Sequence, residues 1–408
     1  MSDRAIEISD EPMMSTRAHP VIFLRRLYVP VATVVLVLLL GWWLVRTAEP
    51  LAGPPPEQRK ETGANPELTP EEAKLARAVI EPGFASRGGR EQLLFIGNSQ
   101  TMAIPFGQPW DISTPQWFQV LLSRRAPGAV DVHCGSLGGL TMEETFFRVM
   151  DFEQSVSSPA AVIIAIHPEL INRIGLREEV RQQAQEPASR TELRRLAASN
   201  PDLTLATRMI ESVLKSDQAG QAGKETEATW PKRLENAVQS GPRTLLLFAQ
   251  RELVLQLVNE TFRKYRHRVF HIYSTSPRPL DESTYPENLE ALELTLRYAQ
   301  QKDIHTILYL GPLRPIQPNP DSPQVRARIR RDVMELARRY KVQCLDYTNL
   351  VPERYWTDYA SDATHRLTGD AGQHDFAHIR AEAHKMVAEK LLEDVGDSIL
   401  SQSGTSTH

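Results

Sequence analysis

The chain has 408 residues, 41% of them hydrophobic and 24% charged, with a formal net charge of −4. Such a composition excludes an intrinsically disordered chain and allows one large domain with appendages. No basic surplus marks a nucleic-acid-binding surface, so nucleic acid is not an expected partner.

In chain order the first element is LYVPVATVVLVLLLGWWLV, Leu27 to Val45, about the twenty residues that span a bilayer core. It predicts a transmembrane helix over 27–46 behind a short tail, 1–26. Arg17, Arg25 and Arg26 precede the run, whereas Glu49 and a group of prolines follow it. The positive-inside rule then places the N-terminus in the cytoplasm and the rest outside, in the periplasm or at the cell surface. The apolar run is longer than a signal-peptide core and no small-residue cleavage pattern follows closely, which argues for a retained anchor. The stretch 47–68, rich in Pro, Gly and charge, reads as a linker. A domain is expected over 69–396, followed by a disordered tail, 397–408.

Thr69-Pro70-Glu71-Glu72 carries a hydroxyl at the N-cap, Pro at N1 and Glu at N3, so a helix is expected to about Val79. Next comes LLFIGNSQTM, residues 93–102. Its apolar run stops at Gly97, as a parallel strand does on leaving a sheet, with Gly97 expected to give the turn its backbone freedom. Ser99 at that tip is either a nucleophile or the N-cap of the following helix. Four further runs read as strands: AVDVHCG (129–135), AAVIIAIH (160–167), HTILYLG (305–311) and VQCLDY (342–347). Cys134 and Cys344 lie in or beside two of them and read as small buried hydrophobes. Helical patterns lie between and after these runs at Thr114–Arg125, Met142–Glu153, Pro286–Lys302, Gln324–Tyr340 and Ile379–Val395. The alternation predicts a doubly wound, three-layer α/β domain with a flavodoxin-like parallel sheet of about five strands.

About 135 residues separate the third run from the fourth, far more than a usual connection. A helical insertion is therefore expected at about 173–268. It includes a charged helix, Arg190–Lys215, a polar break over 216–229, and a more apolar helix, Thr244–Lys264. It reads as a cap packed on the domain, with a lid or a membrane-proximal docking surface as the alternative.

A serine hydroxyl needs a base, and the base an orienting carboxylate. HDFAHIR, residues 374–380, places Asp375 three residues before His378, just ahead of the last helix. That spacing lets one turn bring the carboxylate to Nδ1 while Nε2 stays free for Ser99. Asp362 and His365 repeat the spacing in a polar stretch; the second copy is preferred because only it runs into the closing helix.

Taken together, Gly97-Asn98-Ser99 and Asp375-Phe376-Ala377-His378 resemble the two motifs of the SGNH (GDSL-type) hydrolase superfamily, with Asn in place of the Asp of the GDS turn. The resemblance covers roughly residues 90–170 and 270–395. It implies a Ser99 nucleophile, a His378 base and an orienting Asp375. It also implies an oxyanion site built from the backbone N–H of Ser99, a Gly after the second strand and an Asn after the third. Gly138 is the nearest match to that Gly, with Gly135 and Gly139 as neighbours. The third strand ends in IAIHPEL, which has no Asn at that place. His167 or Asn172 would substitute, with Asn98 beside the nucleophile, unless His167 is a structural residue of the strand end. Together with the membrane anchor, the pattern is similar to DltD-like and alginate O-acetylation-type proteins. That implies O-acylation of a cell-surface polysaccharide, with a membrane-bound O-acyltransferase as partner and a surface glycan as acceptor. No metal and no organic cofactor is expected. A plain GDSL-type esterase and a non-catalytic carbohydrate-binding or assembly component are the alternatives.

Overall fold

The computed structural model describes residues 65–80, 84, 90–102, 110–156, 159–171, 175–223, 275–358 and 374–403. These all belong to one of two compact units of the chain, Pro54–Asn236 with Arg266–His408. The expected spanning helix at 27–46, the polar residues 224–229, the segment Thr244–Lys264, Asn172 and the Asp362/His365 pair lie outside the described residues. No helix of the described residues is long and apolar enough to cross a membrane.

In chain order the elements are α1 (Pro70–Val79), β1 (Glu91–Ile96), α2 (Ser99–Met102), α3 (Thr114–Arg125), β2 (Val130–Cys134), α4 (Met142–Ser155) and β3 (Pro159–Ile166). The insertion follows with α5 (Pro168–Ile171), α6 (Glu178–Ala184), α7 (Pro187–Ser199) and α8 (Thr204–Gly223). The chain returns through α9 (Tyr285–Gln301), β4 (His305–Leu310), α10 (Pro323–Arg339), β5 (Gln343–Asp346), β6 (Trp356–Asp358), β7 (His374–Ile379) and α11 (Ala381–Ser403). Five strands form one sheet in the order β2-β1-β3-β4-β5, every neighbouring pair parallel.

All six residues of β1 are buried, and its four apolar ones divide between two clusters. Leu94 and Ile96 join Phe146, Leu292 and Val333, from α4, α9 and α10. Leu93 and Phe95 join Val79, Phe118 and Val387, from α1, α3 and α11. Covered on both faces, the strand reads as a continuous apolar run. The order reverses direction between β1 and β3, the kind of switch point at which an open sheet parts at the carboxyl ends of its strands.

Packing places the described part of the insertion on the domain. Val180, Leu193, Leu196, Ile210 and Val213 of α6, α7 and α8 are buried in the same cluster as α4 and α9. The single helix expected over Arg190–Lys215 is broken. Asn200 caps α7 at φ −128°, ψ 55°, and Pro201 disfavours a helical conformation at the residue before it. Arg297 of α9 pins the break, bonding Asn200 Oδ1 at 3.0 Å and Asp202 at 2.6 and 2.9 Å.

Two boundaries differ near the C-terminus. The expected helix from Ile379 starts at Ala381, because His374–Ile379 instead form β7, antiparallel to β6. It also continues to Ser403, past the domain end read at residue 396, because Val395 and Ile399 are buried against the second cluster. Cys134 and Cys344 are free and half-buried. The half-burial of Cys344 reflects the edge position of β5.

Candidate active site

The turn after β1 is shaped by close approach. A Cβ added to Gly97 would lie 2.6 and 2.7 Å from the Thr101 side chain and 3.0 Å from the Ala165 Cβ. Gly97 has no positive φ, so the freedom expected of it is a matter of space rather than of backbone angle. Asn98 then caps the short helix α2. Its Oδ1 accepts from Gln100 N–H at 3.0 Å, and its carbonyl accepts from Thr101 N–H at 3.1 Å. Capping by Asn98 leaves the Ser99 hydroxyl available, and it lies 2.9 Å from His378 Nε2.

Opposite it, β7 carries both partners. His378 Nδ1 is 2.8 Å from Asp375 Oδ2. The other carboxylate oxygen accepts from Ala377 N–H at 2.8 Å and His378 N–H at 3.2 Å. The three-residue spacing therefore works through a local carboxylate-to-backbone turn rather than a helical one. Thr357 of β6 adds a hydroxyl 3.1 Å from Asp375 Oδ2. Asp375 is 1% exposed. Burial by itself would raise its pKa, but bonds from His378, Ala377 and Thr357 hold the carboxyl below its usual range. An ionised Asp375 can only accept, so His378 Nδ1 carries the ring proton and Nε2 accepts from Ser99.

Arg314, Thr357 and Gln100 support this arrangement and were not among the residues expected from the sequence. Arg314 is 3% exposed and donates from Nη1 to the carbonyls of Thr357 at 2.6 Å and Asp375 at 3.1 Å. It thereby fastens the loop after β4 to both short strands. An arginine inside the apolar GPLRP stretch beyond a strand tip is the signal that could have found it. Gln100 Nε2 donates to the Pro312 carbonyl at 3.0 Å, tying the turn of Ser99 to the same loop.

The residues expected at an oxyanion site are placed as follows. His167 directly follows Ile166, the last residue of β3. Its Nδ1 accepts from Glu169 N–H at 3.3 Å, which puts the ring proton on Nε2. Nε2 is buried and without a hydrogen-bond partner among the described residues, and so is Asn98 Nδ2. Burial pushes the His167 imidazole down, keeping it neutral; His378 also acts on it through space. Gly138 sits exposed in the turn after β2, its carbonyl bonded by the Arg177 guanidinium. Gly139 beside it has φ +67°. That turn runs along the nucleophile's: Leu137 N–H donates to the Gly97 carbonyl at 3.2 Å. Among the described residues no group of three His, Cys, Asp or Glu is placed to hold a metal ion.

No protein-family model and no curated relative matches the sequence. Among solved structures, a Bacteroides fragilis protein provisionally named an acylhydrolase aligns with 83% of this chain and 100% of its own, at 11% identity and a TM-score of 0.33. That degree of likeness is too low to carry function from one chain to the other.

Proposed function

We propose that the chain is an SGNH-type serine acyltransferase or esterase acting on ester-linked acyl groups. The observation that carries this reading is the continuous series Ser99 Oγ, His378 Nε2, His378 Nδ1, Asp375 Oδ2, with links of 2.9 and 2.8 Å. In the first half-reaction Ser99 Oγ attacks the acyl carbonyl and its proton passes to His378 Nε2. The imidazolium then protonates the departing alcohol, and Asp375 stabilises its charge meanwhile. In the second half-reaction an incoming hydroxyl gives its proton to His378 and takes the acyl group, and the imidazolium returns that proton to Ser99 Oγ as the serine ester bond breaks. The test is labelling with a fluorophosphonate followed by mass spectrometry. A phosphonyl group should appear on the Ser99 peptide and be absent from Ser99→Ala; an unlabelled wild-type chain would overturn the reading.

The buried, unpartnered N–H groups of His167 and Asn98 supply the oxyanion site in this reading. Buried donors are rarely left unpaired, and the developing oxygen charge would satisfy both. Losing one such donor typically costs about 10²–10³ in rate. His167→Ala should therefore lower kcat by roughly that factor, with His167→Asn retaining more. Unchanged turnover in His167→Ala would remove His167 from the oxyanion site.

The 27–46 anchor and the linker motivate the rest of the proposal: a single-pass protein, N-terminus inside, that transfers acyl groups to a surface glycan with a membrane-bound O-acyltransferase as donor. A short tether raises the effective concentration of two membrane-held partners to about the millimolar range. Protease added to intact cells or spheroplasts should digest residues 65–408. Full protection of that region would place the domain on the other side.

A further inference from the structure

The carboxyl ends of β3 and β4 open onto a cavity of about 270 Å³ whose walls include Ile166, Gly311, Arg314, Arg326, Arg330 and Asn349. It is joined to the nucleophile's turn through one side chain. Gln100, next to Ser99, bonds the Pro312 carbonyl, and a Cβ on Gly311 would lie 2.6 Å from Gln100 Oε1. A larger cavity, about 550 Å³, lies at the opposite, amino ends of the strands, with Glu91, Asp303, His305 and Lys341 mixing both signs of charge.

The smaller cavity has a one-sided lining: three arginines and no carboxylate among the described residues. Two of the three are committed. Arg314 spends Nη1 on backbone carbonyls, and Arg330 is paired with Asp346 at 2.6 Å. The side chain of Arg326, half-buried on the first turns of α10, makes no hydrogen bond or ion pair among the described residues. It acts through space on Asp321, so the three cations stand against two nearby carboxylates. A half-buried guanidinium presents a planar fork matched to the paired oxygens of a carboxylate or phosphate. The volume is a little under the roughly 300–1,000 Å³ of pockets that enclose drug-sized ligands, so it suits one sugar-sized unit. The exposed Asn349 amide at its edge can bond a hydroxyl.

We propose that this cavity binds an anionic group, a carboxylate or a phosphate, on the glycan that meets Ser99, with Arg326 as its charge partner. The glycan's role as acceptor rests on the acyl-transfer reading; anion binding as such does not. The test is calorimetric titration of the full-length chain in mild detergent with glucuronate, glucose 6-phosphate and glucose. At least one of the two acids should bind more tightly than glucose, and which one does identifies the anion as carboxylate or phosphate. Arg326→Gln should weaken that binding on the order of 10- to 100-fold, the loss expected for a hydrogen bond to a charged group. Arg326→Lys, which keeps the charge and loses the fork, should fall between. Thermal unfolding of each variant establishes that it is folded. Glucose binding as tightly as the acids, binding of neither acid, or unchanged affinity in Arg326→Gln would overturn the proposal. Fluorophosphonate labelling of Ser99 needs no anion, so the two ideas can fail separately.

Discussion

Replacement of Ser99 by Ala is expected to lower kcat on a small acyl ester by roughly 10⁶-fold, the scale seen when a serine nucleophile is removed from a working triad. The Ser99 hydroxyl lies 2.9 Å from His378 Nε2, within reach to pass its proton there. His378→Ala should cost about as much by itself, because an unassisted hydroxyl is a poor nucleophile at neutral pH. The double variant should be no worse than either single one, since the two side chains act as a unit. Steady-state kinetics on the three variants checks this. Losses that multiply instead would mean that Ser99 and His378 act in separate steps.

Asp375→Asn should reduce kcat by about 10⁴, with little change in the position of His378. The amide oxygen can still accept from the Ala377 and His378 N–H groups, which now bond the carboxylate at 2.8 and 3.2 Å. The amide nitrogen, however, offers a proton to Nδ1, which forces the ring proton onto Nε2 and blocks acceptance from Ser99. The same substitution has a signature in stability. The folded pKa of Asp375 is depressed, so its ionised form stabilises the fold above the unfolded carboxyl pKa of about 3.9. That contribution is lost as the pH falls through the folded value. The difference in unfolding free energy between wild type and Asp375→Asn should therefore be constant near neutrality and shift below about pH 4. Urea denaturation at neutral and acid pH measures it. A difference independent of pH would show that Asp375 is not held ionised by the fold.

Local pattern was enough for much of this molecule. Leu93–Ile96, AAVIIAIH and HTILYLG supply strands of a parallel sheet because a short, mostly apolar run buried on both faces can be read from neighbouring residues alone. The Thr69 and Glu72 side chains close the capping box of α1, at 3.2 and 2.8 Å, for the same reason: all its atoms lie within four residues. Where the local signal was short, it misled. β6 has three residues, too few to show a period, so the residues around Asp375 read as a turn before a helix instead of a strand paired with β6. Asn200-Pro201 outranks the helical periodicity on either side of it.

Chain order also made Ser99, Asp375 and His378 candidates, because a nucleophile at a strand tip and a carboxylate three residues from an imidazole are chemistry carried by spacing. Their meeting across 279 positions of sequence is another matter. It depends on the order β2-β1-β3-β4-β5, which sets β1 beside β3, and on Arg314 drawing the loop after β4 onto β6 and β7. The same long-range packing gathers Arg314, Arg326 and Arg330 around one cavity. Strand order and side-chain convergence arise from the burial of two apolar clusters by helices distant in the chain. No window of sequence contains that free energy, so only the folded structure decides them.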